Sequence, residues 1–281
     1  MAARPRRAAV NSSAAHVFDV LRFVASSDPP LGVTEISRRL DLPASTVHRA
    51  LVTLEEASYL QRYQNTPCFE LGMVPHLLNR ALLNHFALHA YSRPILHALA
   101  AETGHTVSLW YRVGWYAVRI GGAFGTQDIY HRARLGETDL LHSGAGPAAI
   151  LAYLRPQEHQ AYRKFVQTHF PGSPPVPGGW EGLDAHLASL RDRGFSSKSL
   201  SIANDFHAIA LPVRDAEERV VASLMSEGAA QETIKPSPEM HVARETIEAG
   251  LRADPKRFVS PFAHFPVDDI IIQVPPVLEP L

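Results

Sequence analysis

Residues Val33–Arg62 read VTEISRRLDLPASTVHRALVTLEEASYLQR, and the fold turns on this stretch. Ile36 and Leu40 stand four apart, so Thr34 is expected to cap a short helix ending at Leu40. Asp41-Leu42-Pro43 makes a tight corner, since proline fixes its own backbone and suits the first turn of the next helix. From about Ala44 to Glu56, Val47, Ala50, Leu51 and Leu54 recur at i, i+3, i+4 and i+7, the spacing of one buried helix face. The opposite face is left with Ser45, Thr46, His48, Arg49 and Thr53. Short hydroxyls and an arginine donate to phosphates and base edges, and nothing bulky keeps such a helix out of a major groove. Arg38 and Arg39 on the preceding helix are placed to meet the backbone.

Working outward, a helix is expected from Ser12, with Val17, Val20, Leu21 and Val24 on one face, broken by SSDPPLG at Ser26–Gly32. Downstream, the aromatic run Tyr59–Leu71, with a turn at Asn65-Thr66-Pro67, predicts a β-hairpin carrying Arg62. Residues 1–75 hold eight arginines and seven acids, a net of +1. Total charge is therefore a weak argument, and position is the stronger one. Arg4, Arg6 and Arg7 lie on an amino-terminal arm, and Arg38, Arg39, Arg49 and Arg62 lie on the second and third helices and the hairpin.

The chain of 281 residues is 46% hydrophobic and 20% charged, enough to bury two cores, with a formal net charge of −1. The single cysteine, Cys68, excludes an intrachain disulfide and a cysteine-built zinc site. No apolar run reaches the roughly 20 residues of a membrane span. No secretory pattern opens the sequence, so a cytoplasmic protein with no membrane partner is expected. His85 and His89 stand i, i+4, a spacing two zinc ligands use, but no glutamate follows His85 and the surroundings are apolar. There is no G-x-S-x-G and no phosphate-binding loop. Neither a metal, a cofactor nor catalysis is expected.

Met73–Ala101 reads as helical, interrupted at Pro94 and stopped by Gly104. Strands are expected at Thr106–Arg112, Tyr116–Gly121 and Asp128–Arg134, then an apolar helix within Leu140–Leu154. A proline- and glycine-rich loop spans Phe170–Trp180. A helix at Leu183–Arg193, strands at Ala208–Val213 and Val220–Ser226, and a helix at Pro236–Ala253 complete the pattern. This is an α+β arrangement, an antiparallel sheet with helices outside it. The expected division is a basic arm (1–11), a DNA-binding domain (12–72), a linker helix (73–90), a second domain (91–253) and a proline-rich tail (254–281).

Val33–Arg62 together with FELG (Phe69–Gly72) resembles the IclR family of bacterial transcription factors almost position by position. LHSGAGPAAILAYL (Leu141–Leu154), RDRGF (Arg191–Phe195), AIALPVRD (Ala208–Asp215) and VVASLMSEG (Val220–Gly228) resemble that family's ligand-binding domain. The likeness spans about residues 14–252. It implies a winged helix-turn-helix, a GAF/profilin-like effector domain, double-stranded operator DNA and a small organic effector as partners, and a homodimer or homotetramer.

Ser143, Gly144, Ala145 and Gly146 open a helix, where unpaired N–H groups favour a carboxylate. The resemblance places further effector positions at Lys198, His207 and Ala208, and on the strand carrying Ser223, Met225 and Glu227, which alternate onto one face. Where relatives carry small polar residues, this strand carries Met225 and Glu227. Where the best-known relative is acidic this chain has Lys198, and Ala208 replaces a small thiol. A buried Glu227 repels an effector carboxylate unless Lys198, His207 or an arginine pairs with it. The expected effector is therefore larger than a two- or three-carbon keto acid, and is hydroxylated, aromatic or amine-bearing. Trp110, Tyr116, Phe124 and Tyr130 would supply an aromatic wall. The combined expectation is a regulator of a catabolic operon. The alternative is a small-molecule-binding module, or an enzyme on the sheet domain, without DNA regulation.

Overall fold

The computed structural model describes residues 12–27, 30–126, 135–171, 178–199, 206–229 and 235–258. They form two compact units, divided between Asn84 and His85.

In the first unit α1 (Ser12–Ser26), α2 (Val33–Leu40) and α3 (Ala44–Glu56) precede a two-stranded antiparallel wing, β1 (Leu60–Arg62) and β2 (Phe69–Leu71). Leu31 bridges Phe69, adding a third edge. The apolar periodicity places the core as expected: Val20, Val24, Ile36, Val47, Leu51, Leu54, Leu60 and Phe69 are buried together. Thr34 does not cap α2, because the helix already begins at Val33 with Gly32 before it. Ser37 sets the corner instead. Its hydroxyl donates to the Leu42 carbonyl at 2.6 Å while its own carbonyl accepts the Leu42 N–H at 3.1 Å. Asp41 takes the left-handed conformation there (φ 51°), which aspartate tolerates better than most residues.

Helix α4 (Met73–His85) closes this unit, and α5 (Ala87–Thr103) opens the second. The helical stretch breaks at Phe86, not at Pro94, which is accommodated inside α5. Phe86 leaves helical geometry and buries its ring edge-on against Tyr111, 5.0 Å between centroids. Gly104 ends α5 in the left-handed region, as expected.

The second unit is built on a six-stranded antiparallel sheet. It contains β3 (Thr106–Val113), β4 (Tyr116–Ala123), β5 (Thr138–Leu140), β6 (Ser196–Ser199), β7 (Phe206–Arg214) and β8 (Val220–Ala229), in the order β5-β4-β3-β8-β7-β6. Helices α5 and α9 (Pro238–Ala253) cover one face through Leu96, Leu99, Leu109, Ile209, Leu224 and Ile247. Helices α6 (Ala145–Leu151), α7 (Pro156–His169) and α8 (Gly179–Arg193) cover the other through Trp110, Tyr116, Ile150, Tyr162, Leu187 and Met225. The expected strand Asp128–Arg134 and Tyr130 lie outside the described residues, as do residues 172–177 of the loop and the tail beyond Phe258. Three elements were not anticipated, α7 and the edge strands β5 and β6. Helix α8 also starts at Gly179 rather than Leu183.

The cores of the two units are separate, so damage to one should be readable alone. Leu51 is fully buried at the centre of the first. Leu51→Ala is expected to cost that unit about 2–5 kcal/mol. Urea unfolding followed by tryptophan fluorescence should leave the second unit's transition unmoved, because Trp110, Trp115 and Trp180 all lie there.

Candidate functional site

Two surfaces carry the residues that the sequence singles out. On α3, burying Val47, Ala50, Leu51 and Leu54 turns Ser45, His48, Arg49 and Thr53 outward, with Thr46 half-buried. Thr53 returns its hydroxyl to the Arg49 carbonyl at 2.9 Å. Arg49 has no ion-pair partner among the described residues. The other arginines differ. Arg38 and Arg39 both grip Glu35, at 2.8 and 2.9 Å, and these hydrogen bonds hold the Glu35 carboxyl below its ordinary pKa. Arg62 is pinned across the wing, with Nε 2.9 Å from Glu55 and its guanidinium 4.1 Å from the centre of the Phe69 ring. It fastens β1 to α3.

In the second unit, strand parity sorts the expected effector residues. Trp110, Lys198, Ala208, Ser223, Met225 and Glu227 share the sheet face under α6: Trp110 pairs with Ser223, and Glu227 with Ala208, which pairs with Lys198. His207 does not join them. It neighbours Ala208 on β7, so its side chain leaves on the α5 and α9 face, among Ile209, Leu211 and Val213. Phe124 is exposed, and Tyr116 is core, edge-on to Phe165. His89 is taken up by the Ile120 carbonyl.

The loop Ser143–Gly144 leads into α6, which lies directly on Trp110. A Cβ on Gly146 would fall 2.7 Å from the indole Cδ1, so only glycine allows this approach. Ser223 completes the seat by donating to the Gly146 carbonyl at 2.7 Å. Gly144 caps α6 with a positive φ of 81°. The first-turn N–H groups of α6 have no intrahelical acceptor, and Pro147 has no N–H to satisfy.

The partner of Glu227 is an arginine absent from the expected set, Arg119. Both side chains are 6% exposed and their closest N–O distance is 3.4 Å. Arg119 also meets Glu137 at 3.0 Å and lies 4.7 Å above the Trp110 ring. A β-bulge at Ile120 keeps Arg119 on this face while Gly121 turns to α5. Arg119 was legible as the lone charge in the otherwise apolar strand YAVRIGGA.

Four buried polar atoms on this face lack a hydrogen-bond partner: Ser108 Oγ, Trp110 Nε1, Arg119 Nε and Ser196 Oγ. Buried polar groups are nearly always paired, so the three on the adjacent strands β3 and β4 mark a place built for polar contact, while Ser196 lies three strands away on β6. Above it, Tyr162 is wholly buried. Its oxygen accepts the His142 N–H at 3.1 Å and lies 2.6 Å from His142 Nδ1. Burial, aided by the charge of Lys198, lowers the His142 pKa to about 4, so the ring is neutral. Asp139, opposite Ala117 on β5, is raised to about 6 by burial and by Glu137, against the pull of Arg119 and Lys198.

Residues 13–63 match the IclR helix-turn-helix domain, and residues 80–235 match the C-terminal domain of the bacterial transcriptional regulator IclR. The chain belongs to the IclR family. It is a transcriptional regulator with a DNA-binding helix-turn-helix. The HTH-type transcriptional regulator KipR of Bacillus subtilis is 26% identical over 200 residues, covering 71% of this chain and 79% of that protein. The repressor AllR of Salmonella typhimurium is 25% identical over 217 residues, covering 75% and 77%. In fold, an IclR homologue from Microbacterium hydrocarbonoxydans complexed with 4-hydroxybenzoate superposes with a TM-score of 0.68 at 22% identity, covering 86% of this chain and 99% of that one.

Asp139 and His142 oppose each other in acid. As pH falls through 6 the raised Asp139 gains a proton in the folded state first, which adds stability. Between 6.5 and 4 the depressed His142 favours the unfolded state, which removes it. Asp139→Asn should therefore be more stable than wild type at pH 7.5 and lose stability more steeply toward pH 4.5. Urea midpoints across that range measure both.

Proposed function

We propose that this regulator binds operator DNA by laying α3 in the major groove. Ser45, Thr46, His48, Arg49 and Thr53 face the bases and phosphates, and Arg38 and Arg39 meet the backbone. The observation that carries this reading is the exposed hydroxyl-and-arginine ridge opposite the buried Val47–Leu54 face. Arg62 acts differently from the others. Held by Glu55 and Phe69, it places the wing rather than a phosphate contact. A protein reading two half-sites is at least a homodimer, and a homotetramer extends the same logic.

The α6 face takes the effector, a carboxylate-bearing metabolite with an aromatic or hydroxylated body whose catabolic operon the protein controls. Support comes from the unpartnered buried Trp110 Nε1 and, on the same face of β3 and β4, the unpartnered Ser108 Oγ and Arg119 Nε. Arg119 is already matched by two carboxylates, so the interior offers no spare cation for a bare keto acid. The effector carboxylate goes instead to the N–H groups of Ala145 and Gly146, near Ser143 and Lys198. The compound bound in the Microbacterium structure, 4-hydroxybenzoate, has all three features and is the first to test.

Fluorescence anisotropy on the DNA upstream of the protein's own gene tests the first half. Binding should weaken steeply with salt, since counterion release governs affinity. Arg49→Ala should lose roughly 1–3 kcal/mol of binding. Arg62→Gln should leave the salt slope unchanged, and Glu35→Gln should steepen it by releasing Arg38 and Arg39. An Arg49→Ala protein that binds like wild type would overturn the assignment of α3. For the second half, calorimetric titration with glyoxylate or pyruvate should show no tight binding.

A further inference from the structure

Asp139 and His142 stand apart from the rest of the α6 face. Every other described charge there is matched: Arg119 by Glu227 and Glu137, and Arg112 by Glu158 at 2.9 Å. Lys198 is exposed at the sheet edge, where water solvates it. Asp139 is half-buried, and its carboxyl has neither a hydrogen bond nor an ion pair among the described residues. Its parity on β5 is that of Glu137, whose carboxylate meets Arg119 on this face. Three residues on, His142 is buried with one ring nitrogen engaged.

The Tyr162 oxygen accepts the His142 backbone N–H, and with its own hydrogen assigned to Nδ1 that ring nitrogen is the acceptor. The neutral ring then carries its proton on Nε2, a donor with no partner among the described residues. Burial raises the pKa of the Tyr162 hydroxyl, and the Asp139 charge adds to that rise. Besides the unpaired Ser108, Trp110, Arg119 and Ser196 atoms, the face thus offers an acceptor in the Asp139 carboxylate and a donor in His142 Nε2–H.

We propose that Asp139 and His142 together recognise a hydroxyl group on the effector, which donates to Asp139 and accepts from His142. The pair is selective by elimination. A carboxylate has no hydrogen for Asp139 and repels it. An ammonium has no lone pair for His142. A bare ring edge leaves both groups desolvated and unpaired, a heavy cost for buried polar groups. A hydroxyl satisfies both at once. Glu137, Arg119, Lys198 and Tyr162 are the titratable groups around the pair. Burial, then Glu137, against the pull of Arg119 and Lys198, keeps Asp139 poised to change charge at about pH 6, and a phenol bound as donor favours its ionised form.

The inference rests on the reading that this face binds an aromatic carboxylate, and the experiment separates the two. Calorimetric titration of the full-length protein compares 4-hydroxybenzoate with benzoate, which differ only in the hydroxyl. Wild type should prefer 4-hydroxybenzoate by at least about tenfold, since sites built to pair a hydroxyl reject analogues lacking it. Asp139→Leu, which removes the acceptor, should bring the ratio close to one, with benzoate bound no more weakly than by wild type, and Asp139→Glu, which displaces the carboxylate by one methylene, should also reduce the ratio. If both compounds bind wild type equally, or the preference survives in Asp139→Leu, the hydroxyl assignment is overturned and the aromatic reading stands. If neither compound binds, the aromatic reading falls and the inference falls with it.

Discussion

The carboxy-terminal unit depends on holding one guanidinium in its interior. Removing an arginine from water costs several kcal/mol, which attraction repays only when geometry and hydrogen bonding are good. Arg119 meets that demand with Glu227 beneath α6, Glu137 at the rim and the Trp110 ring below. The constraint spreads to its neighbours. Trp110 must lie flat to carry both Arg119 and α6, so position 146 must be glycine. The bulge at Ile120 must re-aim β4, and Glu227, which alone would repel an anion, becomes half of a neutral pair. The interior is therefore polar but not cationic, and selection there falls to hydrogen bonding rather than to net charge.

The amino-terminal unit solves the opposite problem. Its apolar wedge is small, so it can keep cations outside in water, where pairing is weak and reversible. Glu35 restrains two arginines and Glu55 a third, and Arg49 has no ion-pair partner among the described residues. Exposed ion pairs of this kind contribute little to stability but keep side chains ordered and compete with phosphate. A wing fastened by Arg62 to α3 is tied to that helix, so the two present one surface.

How much of this was legible before the fold was known depends on the kind of signal. The three amino-terminal helices and their buried face came from spacing alone, because a short amphipathic helix has one way to hide its apolar stripe. The strands β3, β4, β7 and β8 were also readable from apolar runs between turns. Strand β6, sequence SSKS, was not, since an edge strand of serines and a lysine has no apolar alternation. Helix α7 is mostly polar and buries only Tyr162, Phe165 and Val166, yet Pro156 and Glu158 at its start were a usable capping signal. His207 and Ala208 are adjacent on one strand, so parity alone forbade both from facing one ligand. The pairing of Arg119 with Glu227 was out of reach, because it joins residues 108 positions apart through a register that only the folded sheet sets.

Regulation sets an energetic requirement on these two surfaces. An effector moves a two-state equilibrium only by its difference in affinity for the two states, and a near-complete switch takes about 5.5 kcal/mol. Helix α6 is seven residues long, opened by a glycine with positive φ, and buried along its whole length against the sheet, where it seats on Trp110 and Ser223. Under the proposed binding mode, a ligand held by the N–H groups of α6 and by Asp139 with His142 joins that helix to the loop before it. Any difference in affinity between two states then comes from how α6 seats on the sheet, and the buried arginine supplies the floor on which that seat is built.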